Sequence, residues 1–144
     1  MIQTPIALFE LKNPKFYHLD TCLSVLDART ALYCRAGFTD EGYALLKQLF
    51  PRLIEVPSSE ADAPGFACNA HCPDQQHVIL QQGSTETNAA LRSYGFTPIE
   101  VDTSEFIKSG GSVFCLKMQC LWDEWPQNLS KSFDESRERA ALPS

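Results

Sequence analysis

Apolar positions along the chain fall into short strand-like runs separated by two stretches of helical period, and the same order of elements occurs twice. Leu32-Tyr33-Cys34, a helical stretch and Ile54-Glu55-Val56 are echoed by Val78-Ile79-Leu80, a second helical stretch and Ile99-Glu100-Val101. The two Ile-Glu-Val strings lie 45 residues apart, a period that marks duplicated supersecondary units. The first helix is predicted over about residues 40–50, where Tyr43, Leu46, Leu49 and Phe50 recur at helical spacing. Thr39 or Asp40 caps its start and Pro51 ends it. The second helix is predicted over about residues 85–94, capped by Ser84 and closed by Gly95. Residues 23–26 and 31–34 flank Asp27-Ala28-Arg29-Thr30, which reads as a hairpin, and Asp74-Gln75-Gln76 plays the same part in the second unit. Each unit is therefore ββαβ, and residues 113–121 predict the opening strand of a third, incomplete one. The pattern gives an α/β fold.

Composition narrows the function classes. At 144 residues with 44% apolar content, the chain is long enough to bury one core. Twelve basic against eighteen acidic residues give a net charge of -6, and no basic cluster is present to neutralise a phosphate backbone, so nucleic acid is not an expected partner. There is no apolar run of about 18 residues and no charged segment followed by an apolar one at the start, so no membrane association and a cytoplasmic location are expected. In a reducing compartment the six cysteines Cys22, Cys34, Cys68, Cys72, Cys115 and Cys120 read as thiols, most of them small buried residues. Cys68, His71, Cys72 and His77 form a Cys-x3-Cys, His-x5-His set that does not reproduce the usual spacing of structural zinc, so no metal is expected. From Trp122 onward the chain becomes first aromatic and acidic, then polar. Residues 1–121 read as the domain and 122–144 as a tail.

The candidate chemistry lies in two stretches, Phe16-Tyr17-His18-Leu19-Asp20-Thr21 and Gly110-Gly111-Ser112-Val113-Phe114-Cys115-Leu116. Together they hold an imidazole, a carboxylate and a thiol. A thiol reacts as its thiolate, and a neighbouring histidine can take the proton and return it. In an extended segment His18 and Asp20 would point to one face and Leu19 to the other. Gly110 and Gly111 suit a loop that delivers Cys115 at the start of a strand beside a ligand. Glu60, Asp102 and Glu105 read as solvated loop carboxylates and Lys108 as a surface charge.

The strings FYHLDT at 16–21, FACNA at 66–70 and SEFIKSGGSVFCL at 104–116 resemble, in this order, the C-terminal half of the guanidine-modifying (pentein) superfamily. That superfamily includes dimethylarginine dimethylaminohydrolases, arginine deiminases and amidinotransferases. The resemblance runs from about residue 14 to residue 119. It implies a partial, pentein-like α/β propeller of about two and a half ββαβ modules, with the site at the inner rim. By the same resemblance Cys115 is the nucleophile, His18 the general acid/base and Asp20 the guanidinium-binding carboxylate. Asn69 lies in a segment close to the site and is a further substrate-binding candidate. Glu105 is placed near the nucleophile loop, and no cofactor is implied.

With about seventeen residues before the histidine, the acidic residues that early family modules add to the pocket are expected to have no counterpart within these residues. Two readings follow. One is a hydrolase or amidinotransferase acting on arginine or an N-substituted arginine, completed by self-association, with a twofold dimer expected, or by a complementing chain. The other is a non-catalytic half-propeller that keeps a relic guanidino site. Trp122 and Trp125 are placed either at the dimer interface or folded back over an open edge.

Overall fold

The computed structural model describes residues 5–118, and both predicted repeats are present as parallel β-α-β crossovers. In the first, β1 (Leu23–Val25) pairs antiparallel with β2 (Thr30–Tyr33), with Leu23 opposite Tyr33. The connecting turn is set by Asp27, whose Oδ1 accepts the Arg29 amide at 2.7 Å, a local side-chain bond of the kind that favours aspartate in turns. From β2 the chain passes through α1 (Asp40–Leu49) to β3 (Arg52–Glu55), which lies parallel to β2 with Thr30 opposite Arg52 and Tyr33 opposite Glu55. Thr39 caps α1 as predicted, its hydroxyl accepting the Gly42 amide at 3.1 Å.

The predicted apolar face of α1 is narrower than expected. Leu46 is fully buried and Tyr43 stacks on Tyr33 with ring centroids 5.6 Å apart, but Leu49 is 43% exposed. Gly42 takes part of that face, packed near the Glu10 backbone. The core lies between the helices and both sheets, with Leu32, Phe38, Leu46, Ile54, Val78, Leu80 and Leu91 all buried.

The second unit contains β4 (His77–Gln81), α3 (Thr85–Ser93) and β5 (Thr97–Val101), with β4 and β5 parallel. Between the two units lies α2, the turn Ser58–Ala61. The leading strand of the second unit shrinks to a single antiparallel bridge between His71 and Ile79. Its backbone is engaged elsewhere: the Ala67 amide donates to the Glu60 carbonyl at 3.0 Å and the Asn69 carbonyl accepts the Phe114 amide at 3.0 Å. Gly95 closes α3 at φ +91°, but the expected Ser84 cap is absent. Ser84 Oγ donates back to the Gln81 carbonyl, and the start of α3 is capped by Glu60 across the fold, which accepts the amides of Glu86 and Thr87 at 2.8 Å each and the Thr87 hydroxyl at 2.6 Å. Glu60 is thus a structural helix cap and not a solvated loop carboxylate.

After β5 come α4 (Ser104–Ile107) and α5 (Val113–Leu116). The strand expected over residues 113–121 is a helical turn from Val113 to Leu116, and residues 119–121 lie outside the described residues. The cause is visible in the hydrogen bonding. Asn69 Oδ1 accepts the amides of Ser112, Phe114 and Cys115 at 3.1, 3.1 and 3.4 Å. Successive amides of a strand point to opposite sides, so the adjacent Phe114 and Cys115 amides reach one acceptor only in a turn. The tail 122–144, with Trp122 and Trp125, and Cys120 also lie outside the described residues.

Candidate active site

His18 is extended at φ -132°, ψ 154°, but the chain then turns at once into a single 3-10 turn over Leu19–Thr21. The Thr21 amide and hydroxyl both donate to the His18 carbonyl, at 3.1 and 2.6 Å. This second bond from a threonine hydroxyl closes the turn, so the expected extended His18-Leu19-Asp20 segment is not formed. His18 and Asp20 nevertheless line one cavity of about 640 Å³.

Asp20, Asn69 and Cys115 are brought into direct contact. Cys115 Sγ donates to Asp20 Oδ2 at 3.4 Å, and Asn69 Nδ2 lies 3.4 Å from the same sulfur and 3.2 Å from the Asp20 carbonyl. Asn69 is completely buried. With its Oδ1 on the α5 amides and its Nδ2 on Asp20, it joins the two segments that sequence analysis singled out separately. Cys115 sits in α5 and is exposed, not at the start of a strand.

His18 is the candidate least tied to the others. Among the described residues the site's hydrogen bonds do not run through its imidazole, so Asp20 does not orient it. Its ring is met edge-on by Tyr17, with centroids 5.0 Å apart. Tyr17 also donates to the Gly110 carbonyl. Gly110 has φ +86°, and a Cβ there would stand 2.9 Å from the Tyr17 hydroxyl oxygen, so both the backbone and the space require glycine. Beneath the loop, Gln81 Oε1 accepts the amide and hydroxyl of Thr103 at 2.7 and 2.5 Å, and the Thr103 and Ser112 hydroxyls meet at 2.7 Å. All three residues are buried, so this network ties the loop that carries Cys115 to the end of β4.

The cavity combines apolar walls from Leu19, Leu23, Val25 and Phe114 with the Asp20 carboxylate. Asp20 Oδ1 is buried and has no hydrogen-bond partner among the described residues. On the same cavity, the Lys117 ammonium sits 3.7 Å from the centroid of the Phe114 ring. Burial, with the Lys117 charge beside it, pushes the His71 imidazole below its usual range, so His71 is neutral at pH 7.

Three of the other cysteines are held as thiols. Burial pushes the Cys22 thiol up to about 12 and the wholly buried Cys68 thiol well above its usual range, and it also raises that of half-buried Cys72. A thiol held protonated is a poor nucleophile. Of the suspected metal set, Cys68 is buried in the core, His71 packs edge-on to Phe114 and His77 pairs with Asp74 at 2.6 Å. Among the described residues no group of three or more His, Cys, Asp or Glu is placed to hold a metal ion. Glu105 pairs with Lys108 at 2.7 Å on the surface, and Asp102 accepts the Ser104 amide at 3.0 Å. No helix among the described residues is long and apolar enough to cross a membrane.

Sequence reasoning misses Tyr17 and the Gln81–Thr103–Ser112 network. Tyr17 carries a signal, since it stands beside His18 in the motif. The network carries none, because polar residues at strand ends look like ordinary loop positions.

No protein-family model matches the chain. It is 43% identical over 115 residues to the N(G),N(G)-dimethylarginine dimethylaminohydrolase of Mycobacterium tuberculosis, covering 80% of this chain and 37% of that one. Among solved structures, the N-terminal domain of ArgZ, an arginine dihydrolase of the cyanobacterial ornithine-ammonia cycle, superposes in its product-bound form with a TM-score of 0.69. It is 31% identical, and the match covers 75% of this chain and 39% of that domain. A variant of the same domain, covalently bound to a reaction intermediate, matches with the same TM-score, identity and coverage. The chain therefore spans less than half the length of these relatives. In sequence and in fold, the chain belongs to the guanidine-modifying (pentein) superfamily.

Proposed function

We propose that the chain carries the nucleophile-bearing units of a guanidine-modifying enzyme acting on arginine or an N-substituted arginine. In this reading its two units form an arc of a pentein-like α/β propeller, and the remaining pocket walls come from further modules, supplied by a second copy or a complementing chain. The observation that carries the reading is the Asp20 carboxylate, with Oδ2 on the Cys115 thiol at 3.4 Å and Oδ1 buried without a partner. A planar guanidinium presents paired N–H donors to both oxygens of one carboxylate. Docked there, with the carboxylate turning Oδ1 out to the cavity, it satisfies Oδ1, displaces the thiol from Oδ2 and sets its central carbon beside Sγ.

The chemistry then follows from the groups present. His18 takes the Sγ proton, the thiolate adds to the guanidinium carbon, and His18 returns the proton to the departing amine as the C–N bond breaks. The product on the enzyme is an amidino-thioether. In a hydrolase, His18 next deprotonates water, which adds to the same carbon and expels the Cys115 thiolate; in an amidinotransferase, an acceptor amine takes the place of water. Asn69 fixes the sulfur against Asp20 throughout. The covalent intermediate of the ArgZ domain variant supports this route.

The test is labelling with 2-chloroacetamidine, a guanidinium mimic with a leaving group, beside neutral iodoacetamide, with the modified peptide identified by mass spectrometry. Cys115 is expected to be labelled by the amidine in preference to Cys72, and L-arginine is expected to protect it. In the complete enzyme, Cys115→Ala abolishes turnover and His18→Ala lets the amidino-thioether accumulate. Full activity of Cys115→Ser at neutral pH, or a Cys115 that shows no preference for the amidine, refutes the reading, because a serine hydroxyl lacks the thiol's nucleophilicity.

A further inference from the structure

We propose that Tyr17 is a positioning residue that latches the Gly110-Gly111 turn to the His18 segment, so that the register between Cys115 and the His18–Asp20 turn depends on its hydroxyl. This rests on the reading of the site given above and assigns a role to a residue that the reading leaves unused. Tyr17 touches both halves of the site at once: its ring lies edge-on to His18 with centroids 5.0 Å apart, and its hydroxyl donates to the carbonyl of Gly110, 93 residues along the chain. Gly111, next to that carbonyl, lies against Cys115, since a Cβ on it would stand 3.0 Å from the Cys115 Cβ. The path from the hydroxyl to the nucleophile is therefore two residues of loop and a packed contact.

The geometry is specific to a hydroxyl donor. Gly110 presents its carbonyl to Tyr17 only at φ +86°, a backbone conformation that side chains disfavour, and any Cβ would stand 2.9 Å from the hydroxyl oxygen. Burial, followed by the nearby Cys115 and Asp20, pushes the phenol above its usual range, so it stays a donor where a thiol ionises. Asn69 already fixes the amides of α5 from below, and Ser112 is held by Thr103. Tyr17 fixes the opposite end of the same loop, where the chain leaves α4 for the nucleophile.

The experiment is the ratio of Cys115 labelling rates with 2-chloroacetamidine and iodoacetamide, measured on the full chain for wild type, Tyr17→Phe, Gly110→Ala and the double variant, with thermal melting of each. A hydroxyl latch worth one ordinary hydrogen bond lowers the amidine-to-amide ratio of Tyr17→Phe by about three- to tenfold. Its melting temperature stays near wild type, because Tyr17 is half exposed and keeps its ring. Gly110→Ala is expected to lower the ratio strongly in wild type and less in the Tyr17→Phe background, where the clash with the hydroxyl is gone and only the backbone strain at φ +86° remains. A Tyr17→Phe ratio equal to wild type, or effects of the two variants that simply multiply, overturns the latch. A wild-type chain without amidine preference overturns the underlying reading and the latch with it, and it is told apart because the failure is then present before any substitution.

Discussion

Replacing Asn69 with alanine is the sharpest probe of how stability and chemistry are joined in this fold. The side chain is completely buried and makes contacts in two directions. Its Oδ1 accepts three amides, of which Ser112 belongs to a fully buried residue, Phe114 to a half-buried one and Cys115, at 3.4 Å, is the weakest. Truncation leaves the Ser112 amide buried without a partner, which costs about 1–3 kcal/mol, whereas the Phe114 amide keeps its bond to the Asn69 backbone carbonyl at 3.0 Å and loses only a shared second acceptor. The 3.4 Å bond contributes little by comparison. The expected loss is therefore about 1–3 kcal/mol, a drop in melting temperature on the order of 5–10 °C for a domain of this size. Urea denaturation measures it directly, through a lowered midpoint at unchanged slope. The same variant loses the contact of Nδ2 with Cys115 Sγ at 3.4 Å, so its Cys115 labelling should lose amidine selectivity while iodoacetamide still reacts. A loss below about 0.5 kcal/mol, within the range of an ordinary surface substitution, would refute the assignment of Asn69 as the staple of the site. So would wild-type selectivity in a chain that is destabilised as expected.

Two more substitutions separate local capping from the site itself. Glu60→Ala removes the cap of α3, with three bonds of 2.6–2.8 Å, and is expected to cost about 1–2 kcal/mol in denaturant unfolding; Glu60→Gln retains the acceptor and should recover part of it, whereas equal losses would count against capping. The Asp74 carboxyl is held down to about 2 by the His77 amide and imidazole and the Gln76 amide. A depressed folded-state value gives stability that is present above the unfolded value of about 3.9 and lost as pH falls through about 2. Asp74→Asn should therefore flatten the acid limb of stability against pH in that window and leave the curve above about pH 5 nearly parallel to wild type; an unchanged acid limb would be the contrary result.

The repeat is legible in the sequence because it rests on burial. Leu32, Ile54, Val78 and Leu80 are all inside, and their apolar runs alone mark β2, β3 and β4. Capping by Thr39 is legible for a local reason, since donor and acceptor lie three residues apart. Sequence and fold part company where a distant partner overrides a local preference. Val113-Phe114-Cys115-Leu116 is rich in strand formers, yet the Asn69 side chain, more than forty residues away, gathers its amides into a turn. Glu60 likewise caps a helix that starts 25 residues downstream of it, while Ser84, in the ideal local position, turns back to Gln81. The segment at His18 departs from its expected extended form because the Thr21 hydroxyl adds a bond that period-2 reasoning does not see. Sequence motifs locate Cys115, Asp20 and Asn69; only the folded chain shows that one amide side chain connects them.

That connection explains why the site sits where it does. The three-stranded sheet β1-β2-β3 and the two-stranded sheet β4-β5 are separate sheets, so no β-ladder among the described residues fixes one repeat on the other. Asp20 precedes the first sheet, Asn69 lies between the two, and Cys115 follows the second. Ser24 Oγ in β1 donates to the Ala70 carbonyl at 2.9 Å, which pins the Asn69 segment to the first repeat, while the α5 amides pin it to the end of the second. On the side of the site the seam between repeats is thus closed by polar contacts that converge on residues 69–70. Away from it the seam is closed by Glu60 on α3 and by Arg52, which donates to the Tyr94 carbonyl at 2.8 Å, beside shared apolar packing. Apolar packing is tolerant of small shifts, whereas hydrogen bonds near 3 Å are not. A thiol and a carboxylate 95 residues apart in sequence meet at 3.4 Å only if that seam is held to within a few tenths of an ångström. Hydrogen bonds therefore belong at the seam and hydrophobic contacts in the body of each repeat, and residues at the seam are those whose loss should separate reactivity from folding.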